Sequence, residues 1–184
     1  MLTIKIESIY DLISITVIVL NIYSIITFQF ELIIINTLAL ISHKYIKNLT
    51  TGLYPMIFKR PDGATNCDLF NCGGDSSHKS GFPSGHMTSV SFYMNALMFK
   101  YNKELTLKTI FIYNIPCVLM GIARYSKKCH NIVQIVFGYL YGLMFAYLLN
   151  KYYYKMSANN EITENSENKP LLDKNKSGYE TIIS

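Results

Sequence analysis

Apolar and polar positions fall in long blocks along this chain, not in the short periods of a soluble domain. The first apolar block runs from about Ile9 to Phe28. That is close to the roughly 20 residues that cross a bilayer as helix. Only Lys5 precedes it, with Glu7 and Asp11 close by, and no small-x-small cleavage site follows. It reads as a retained membrane helix and not as a cleaved signal. A polar break at Gln29 and Glu31 leads to a second block, Leu32 to about Ile46, short for a span but ending at Lys44 and Lys47, which can snorkel. From Lys47 to Phe82 turn formers cluster, as in Pro61-Asp62-Gly63 and Cys72-Gly73-Gly74-Asp75. This predicts a structured polar loop, and loops of such length are usually functional or disordered. A third block starts at Pro83-Ser84 and runs to about Phe99. The fourth spans about Leu105 to Ala123, with Pro116 expected to kink it. The fifth spans about Asn131 to Tyr154 and holds Gly138 and Gly142, a spacing that suits close helix packing or is simply tolerated in a membrane helix.

After Lys155 the sequence turns polar and is expected to be a disordered tail, residues 156–184. The pattern predicts an all-α fold: a polytopic membrane bundle of about five helices within residues 1–155. We find no internal repeat.

Composition sharpens this picture. Of 184 residues half are hydrophobic and only 16% are charged, below the roughly 25% of a soluble domain. A wholly disordered chain is excluded, and four Cys in this length exclude a disulfide-stapled mini-protein. The net charge of +5 is compatible with nucleic acid, anionic lipid or a phosphorylated substrate. Its placement among membrane helices does not fit a nucleic-acid binder. Lys100, Lys103 and Lys108 share one end of the bundle with Lys151 and Lys155, which predicts that this end is cytoplasmic. The opposite face holds the long loop and is also basic, with Lys59, Arg60, Arg124, Lys127 and Lys128. That orientation requires the opposing charges to serve a function.

The topology brings three segments to that face: Lys59-Arg60-Pro61, Gly81 to His86, and Arg124 to His130. Pro83-Ser84-Gly85-His86 stands where a helix begins, with Ser84 a strong N-cap. Free N–H groups and the helix dipole suit such a point to an anion, and Gly85 permits close backbone approach. Arg60 and Arg124 are planar forks matched to phosphate oxygens. Two imidazoles, His86 and His130, can divide attack on phosphorus and protonation of the leaving oxygen. Phosphoryl transfer needs mainly positioning and charge neutralisation.

These residues resemble the type 2 phosphatidic acid phosphatase (PAP2) and vanadium haloperoxidase superfamily, over roughly Gly52 to Gly142. Its motifs are Lys-x6-Arg-Pro, Pro-Ser-Gly-His and Ser-Arg-x5-His-x3-Asp. The second is complete at Pro83 to His86, the third matches at Arg124 and His130, and the first matches at Arg60 and Pro61. The resemblance implies His130 as nucleophile through a phosphohistidine and His86 as general acid. It implies Arg60, Arg124, Ser84 and Gly85 as phosphate holders, with no metal or other cofactor. Three positions depart from the pattern. The first-motif Lys falls at Leu53, with Lys59 or Lys128 as substitutes at other spacings. The third-motif Ser is Ala123, and the Asp that orients the nucleophile is Gln134. Gln134 can accept a hydrogen bond but offers no negative charge; Asp62, Asp68 or Asp75 could fold in instead. Two helices precede the first motif, so the first of the family's common six is expected to be missing.

The implied activity is a membrane lipid phosphatase acting on a phosphomonoester or diphosphate of a lipid, of the phosphatidic acid or polyprenyl diphosphate class. Its partners would be that substrate and membrane lipids. Its place would be an endomembrane or the plasma membrane, with the site lumenal or exoplasmic. A lipid phosphotransferase of the same fold and a catalytically impaired lipid-phosphate binder are the alternatives. A vanadate-dependent peroxidase fits less well, since those relatives are generally soluble and larger. Among other residues, Cys67 and Cys72 flank a short loop and are open to a disulfide or to two free thiols. Cys117 reads as packing, Cys129 as no nucleophile, and His43 and His78 as solvated or structural. The tail holds Glu167 to Leu172 and Tyr179 to Ile182, which resemble acidic dileucine and tyrosine-based sorting signals.

Overall fold

The computed structural model describes residues 8–50, 55–102 and 104–154, and for 55 and 56 the backbone only. The expected tail and its sorting-like patterns lie outside them. The described residues form five long helices, α1 (Ile9–Ile26), α2 (Phe30–Thr50), α4 (Gly85–Tyr101), α5 (Leu107–Ser126) and α6 (Ile132–Leu149). One turn, α3 (Pro55–Phe58), precedes the long loop, and a π-helical turn, Asn150–Tyr154, follows α6. No strand is present among the described residues, only isolated bridges at Lys59–Ser80 and Thr65–Asp75. The all-α expectation is met.

Among the described residues three helical segments are long and apolar enough to cross a membrane: α1, α5, and α6 with its π turn. The other two long helices are more polar. α2 carries Glu31, Asn36, His43, Lys44 and Lys47. α4 lies in the middle of the bundle, buried nearly all round from Met87 to Met98. A surrounded helix can carry polar groups if each finds a partner. Thr88 Oγ1 donates to Ser84 O (2.9 Å), Ser91 Oγ to Tyr139 O (2.7 Å) and Tyr93 OH to Asn21 Oδ1 (2.7 Å). The outer helices turn large apolar side chains outward, among them Val19, Ile34, Phe111, Val118 and Phe137. That exterior is what a bilayer requires and water does not.

Two apolar clusters fasten the bundle. Leu32 of α2 packs with Phe92, Tyr93, Ala96 and Leu97 of α4 and with Ala146 and Leu149 of α6. Val17 of α1 packs with Met87, Val90, Cys117 and Met120. The small-xxx-small pair resolves as close packing. A Cβ on Gly138 would stand 2.6 Å from Ser84 O, and one on Gly142 would stand 2.8 Å from Phe92 N. α6 therefore lies directly on the backbone of α4. α5 runs through Pro116 as one helix.

α2 continues four residues past the expected end at Ile46. Nothing from Lys47 to Thr50 breaks a helix, and Gly comes only at position 52. Lys47 thus belongs to the helix and not to the loop. The loop itself is folded. Gly63, Gly73 and Gly74 adopt positive φ in the two expected turns. Ser76 N donates to Ala64 O (2.8 Å) and Gly81 N to Phe58 O (2.7 Å). Phe82 stacks between Phe58 (4.8 Å) and Phe137 (5.0 Å), which pins the ends of the loop to α6.

The cysteines correct the Cys67–Cys72 pairing. Cys67 is bonded to Cys129, 62 residues away, and not to Cys72. The turn after α5 carries Cys129 under the loop, a proximity invisible in the spacing of Cys67 and Cys72.

Candidate active site

The loop, the start of α4 and the α5–α6 turn meet above the helix bundle. Between them lies a cavity of about 260 Å³, lined by Lys47, Arg60, Asp68, Gly85, His86 and His130, with Val17, Leu40 and Leu69 as apolar walls. A larger groove of about 880 Å³ runs on the outer face of α5 and α6 past Phe111, Val118 and Val136. It is almost wholly apolar, with Lys108 as its charged residue, and none of the three motif segments lines it.

Local structure explains how His130 arrives. α5 ends at Ser126, and Lys128 takes φ of 55°, a left-handed turn that reverses the chain. Cys129 N and His130 N both then donate to Arg124 O, at 3.0 and 3.3 Å. The five residues between Arg124 and His130 are this helix end and its reversal. Ser84 caps α4 by position, but its side chain bonds no backbone N–H of the helix. Its own N–H donates to Gln134 O (3.0 Å), tying the α4 start to α6.

Gln134 has a defined orientation. Its Nε2 donates to Ile57 O (2.9 Å) and Lys59 O (2.8 Å). Carbonyls only accept, so this end is the NH₂ and the other is the oxygen. Oε1 faces His130 Nδ1 at 3.1 Å. His130 must therefore donate from Nδ1, which leaves Nε2 with its lone pair. Of the carboxylates considered as replacements, Asp62 faces Lys59 (3.7 Å), and Asp75 accepts from Ser77 N (2.9 Å). Asp68 accepts from Phe70 N and Cys72 N and lines the cavity. The orienting contact on His130 comes from position 134 itself.

His130 is fully buried, and burial holds its pKa well below 6.5. The cations of Arg124, Arg60 and Lys47 push the same way, with His86 adding to them. Both effects favour the neutral imidazole. Burial also lowers the pKa of Arg60, while Asp68 opposes that shift.

The donors are notable for what they lack. Arg60 Nε and Nη1, Ser84 Oγ, His86 Nε2 and Arg124 Nε are buried and have no hydrogen-bond partner among the described residues. Buried polar groups are normally satisfied, so such a cluster asks for an acceptor. Arg124 is fully buried, and its two Nη atoms are engaged: Nη1 donates to Ser14 Oγ (3.2 Å) and Nη2 to Cys67 O (2.7 Å). Asp11 lies nearby in an ion pair with Lys127, which also donates to Asn71 Oδ1 (2.9 Å).

The cavity thus collects Arg60, Gly85, His86 and His130 of the residues expected in the site, with Ser84, Arg124 and Gln134 behind its wall. It does not collect Lys59, whose ammonium turns to Asp62 and whose carbonyl holds Gln134. Lys128 stands against Gly63. Two residues of α2 also reach this region. His43, read as solvated or structural, is structural: it is buried, with Nε2 at 2.8 Å from Pro83 O and its ring against Gly85, so that a Cβ there would meet it at 3.1 Å. Lys47 stands one turn beyond it. The signal was present: Asn36, Ala39, His43 and Lys47 recur at helical spacing on one face of α2.

A family model described as PAP2 superfamily matches residues 28–157. No curated relative and no solved structure matches the chain.

Proposed function

The chain belongs to the PAP2 superfamily, and from that membership we propose that it is a membrane phosphohydrolase acting on a phosphomonoester or diphosphate carried by a lipid. The observation that carries this reading is the set of unpartnered buried donors around a tautomer-locked imidazole. Arg60, Ser84 and Arg124 present N–H and O–H groups with no acceptor among the described residues, His86 Nε2 stands unpartnered beside them, and a phosphate offers several acceptor oxygens at once.

In this reading His130 Nε2 attacks phosphorus and the bond to the lipid oxygen breaks. His86, protonated beside the bound dianion, gives its proton to that oxygen. Water then attacks the phosphohistidine with His86 as base, and the P–N bond breaks to release phosphate. Arg60 and the remaining donors stabilise the equatorial oxygens throughout. Apolar walls at Val17 and Leu40 and the outward apolar faces of α1 and α2 suit a substrate whose chains stay in the bilayer. Gln134 supports turnover over decay, because its oxygen already sits where an orienting group must be. The Cys67–Cys129 bond fits an oxidising compartment, which supports a lumenal or exoplasmic site.

The test is phosphate release by the purified chain in mixed micelles with EDTA, against phosphatidic acid and a polyprenyl diphosphate. Wild type should turn over one of them and His130→Ala should not. Activity that survives His130→Ala would overturn the mechanism.

A further inference from the structure

We propose that Lys47 replaces the missing first-motif lysine, supplying from α2 an ammonium that binds the substrate phosphate. The inference rests on the phosphohydrolase reading above. Position 53, where that lysine is expected, is Leu53. Lys59 faces Asp62 and does not line the cavity. Lys47 does line it, together with Arg60, Gly85, His86 and His130.

The register of α2 explains the reach. Leu40 and Lys47 stand seven residues apart, two turns on one face, and both line the cavity. His43 lies between them, anchored on Pro83 O and against Gly85. That contact fixes the α2 end relative to the Pro83–His86 segment. Lys44, next along the helix, is exposed and turned away. Lys47 and His130 line the same cavity, so a phosphate held against His130 lies within the space that the Lys47 side chain faces. A flexible four-carbon stem with a compact charge suits a point contact to one phosphate oxygen, beside the planar fork of Arg60. A lysine arriving from the preceding helix can thus serve the oxyanion that a lysine in the loop would otherwise meet.

Orthovanadate is the probe, titrated against the full chain in detergent micelles and followed by vanadium NMR, with kinetics on the active lipid alongside. Lys47→Met should weaken vanadate binding and raise KM by about tenfold, with a smaller change in kcat. Lys47→Arg should recover most of that loss, and Lys44→Met should behave as wild type. A Lys47→Met protein that binds vanadate as wild type does would overturn the proposal. A second measurement needs no variant: acetylation of wild type, read by mass spectrometry. Vanadate should protect Lys47 and not Lys44; equal labelling of Lys47 with and without vanadate would overturn the proposal whatever the variants do. Turnover by wild type with unprotected Lys47 sinks this inference alone. If wild type neither binds vanadate nor turns over, the phosphohydrolase reading sinks with it.

Discussion

The two ends of the helix bundle treat buried charge in opposite ways. At the end where α2 begins and α4 finishes, Lys100 Nζ donates to Glu31 Oε1 (3.0 Å) and Gln29 Oε1 (2.9 Å). Gln29 Nε2 donates to Thr27 Oγ1 and Tyr101 OH, and Tyr154 OH reaches Glu31 at 3.4 Å. Every polar group in that cluster is answered from within the chain. At the cavity end Arg60, His86, Ser84 and Arg124 hold buried donor atoms that no described residue answers. A chain that folds into a membrane has every reason to pair such groups. Leaving them unpaired lowers stability and creates affinity for an anion. The contrast separates structural charge from functional charge without reference to any motif.

The comparison can be broken by exchanging consequences between the ends. The largest effect is expected at the cavity. Arg60→Met should lower kcat/KM by about 10³-fold while leaving the melting temperature equal or higher, because it removes a half-buried cation whose Nε and Nη1 bond nothing among the described residues. A steady-state assay with a parallel thermal melt reads both. Next comes Gln134→Asp, which restores the family residue. A carboxylate cannot donate to Ile57 O and Lys59 O, which Gln134 Nε2 now holds. It would face two carbonyls and loosen the segment that carries Arg60. Activity should fall by roughly 10²-fold; a rise would show that the missing charge matters more than the lost bonds. At the other end Lys100→Met should leave kcat unchanged and cost about 2 kcal/mol of stability, since Glu31 stays mostly buried without its partner. The smallest effect is electrostatic. His130 should stay neutral in the free protein as pH falls through 6.5, because its pKa lies well below that value. Imidazole nitrogen NMR of the ligand-free chain would show it, and titration near 6.5 would contradict the burial.

Much of this was legible in the sequence. Block lengths located α1, α4, α5 and α6, and Pro83 to His86 marked the start of α4. The three segments were expected on one face because an odd number of crossings separates none of them from the loop side. Less was legible where partners are distant or belong to the backbone. The apolar run ends at Ile46, which puts Lys47 at the boundary of helix and loop, although no breaker follows and α2 continues to Thr50. Gln134 looked like a defect because its two amide partners are main-chain carbonyls, which no sequence pattern displays. Cys129 finds Cys67 through the reversal at Lys128, although Cys72 is nearer to Cys67 in sequence. Lys59 sat beside the motif arginine yet turned to Asp62, because neighbours on an extended segment point to opposite sides.

The central claim is that His130 carries the phosphoryl group. The direct measurement is an alkaline quench of wild type during turnover, followed by peptide mass spectrometry. The account predicts an alkali-stable, acid-labile phosphoryl adduct on His130 in wild type and none in His130→Ala. Turnover with His130 never phosphorylated would contradict it.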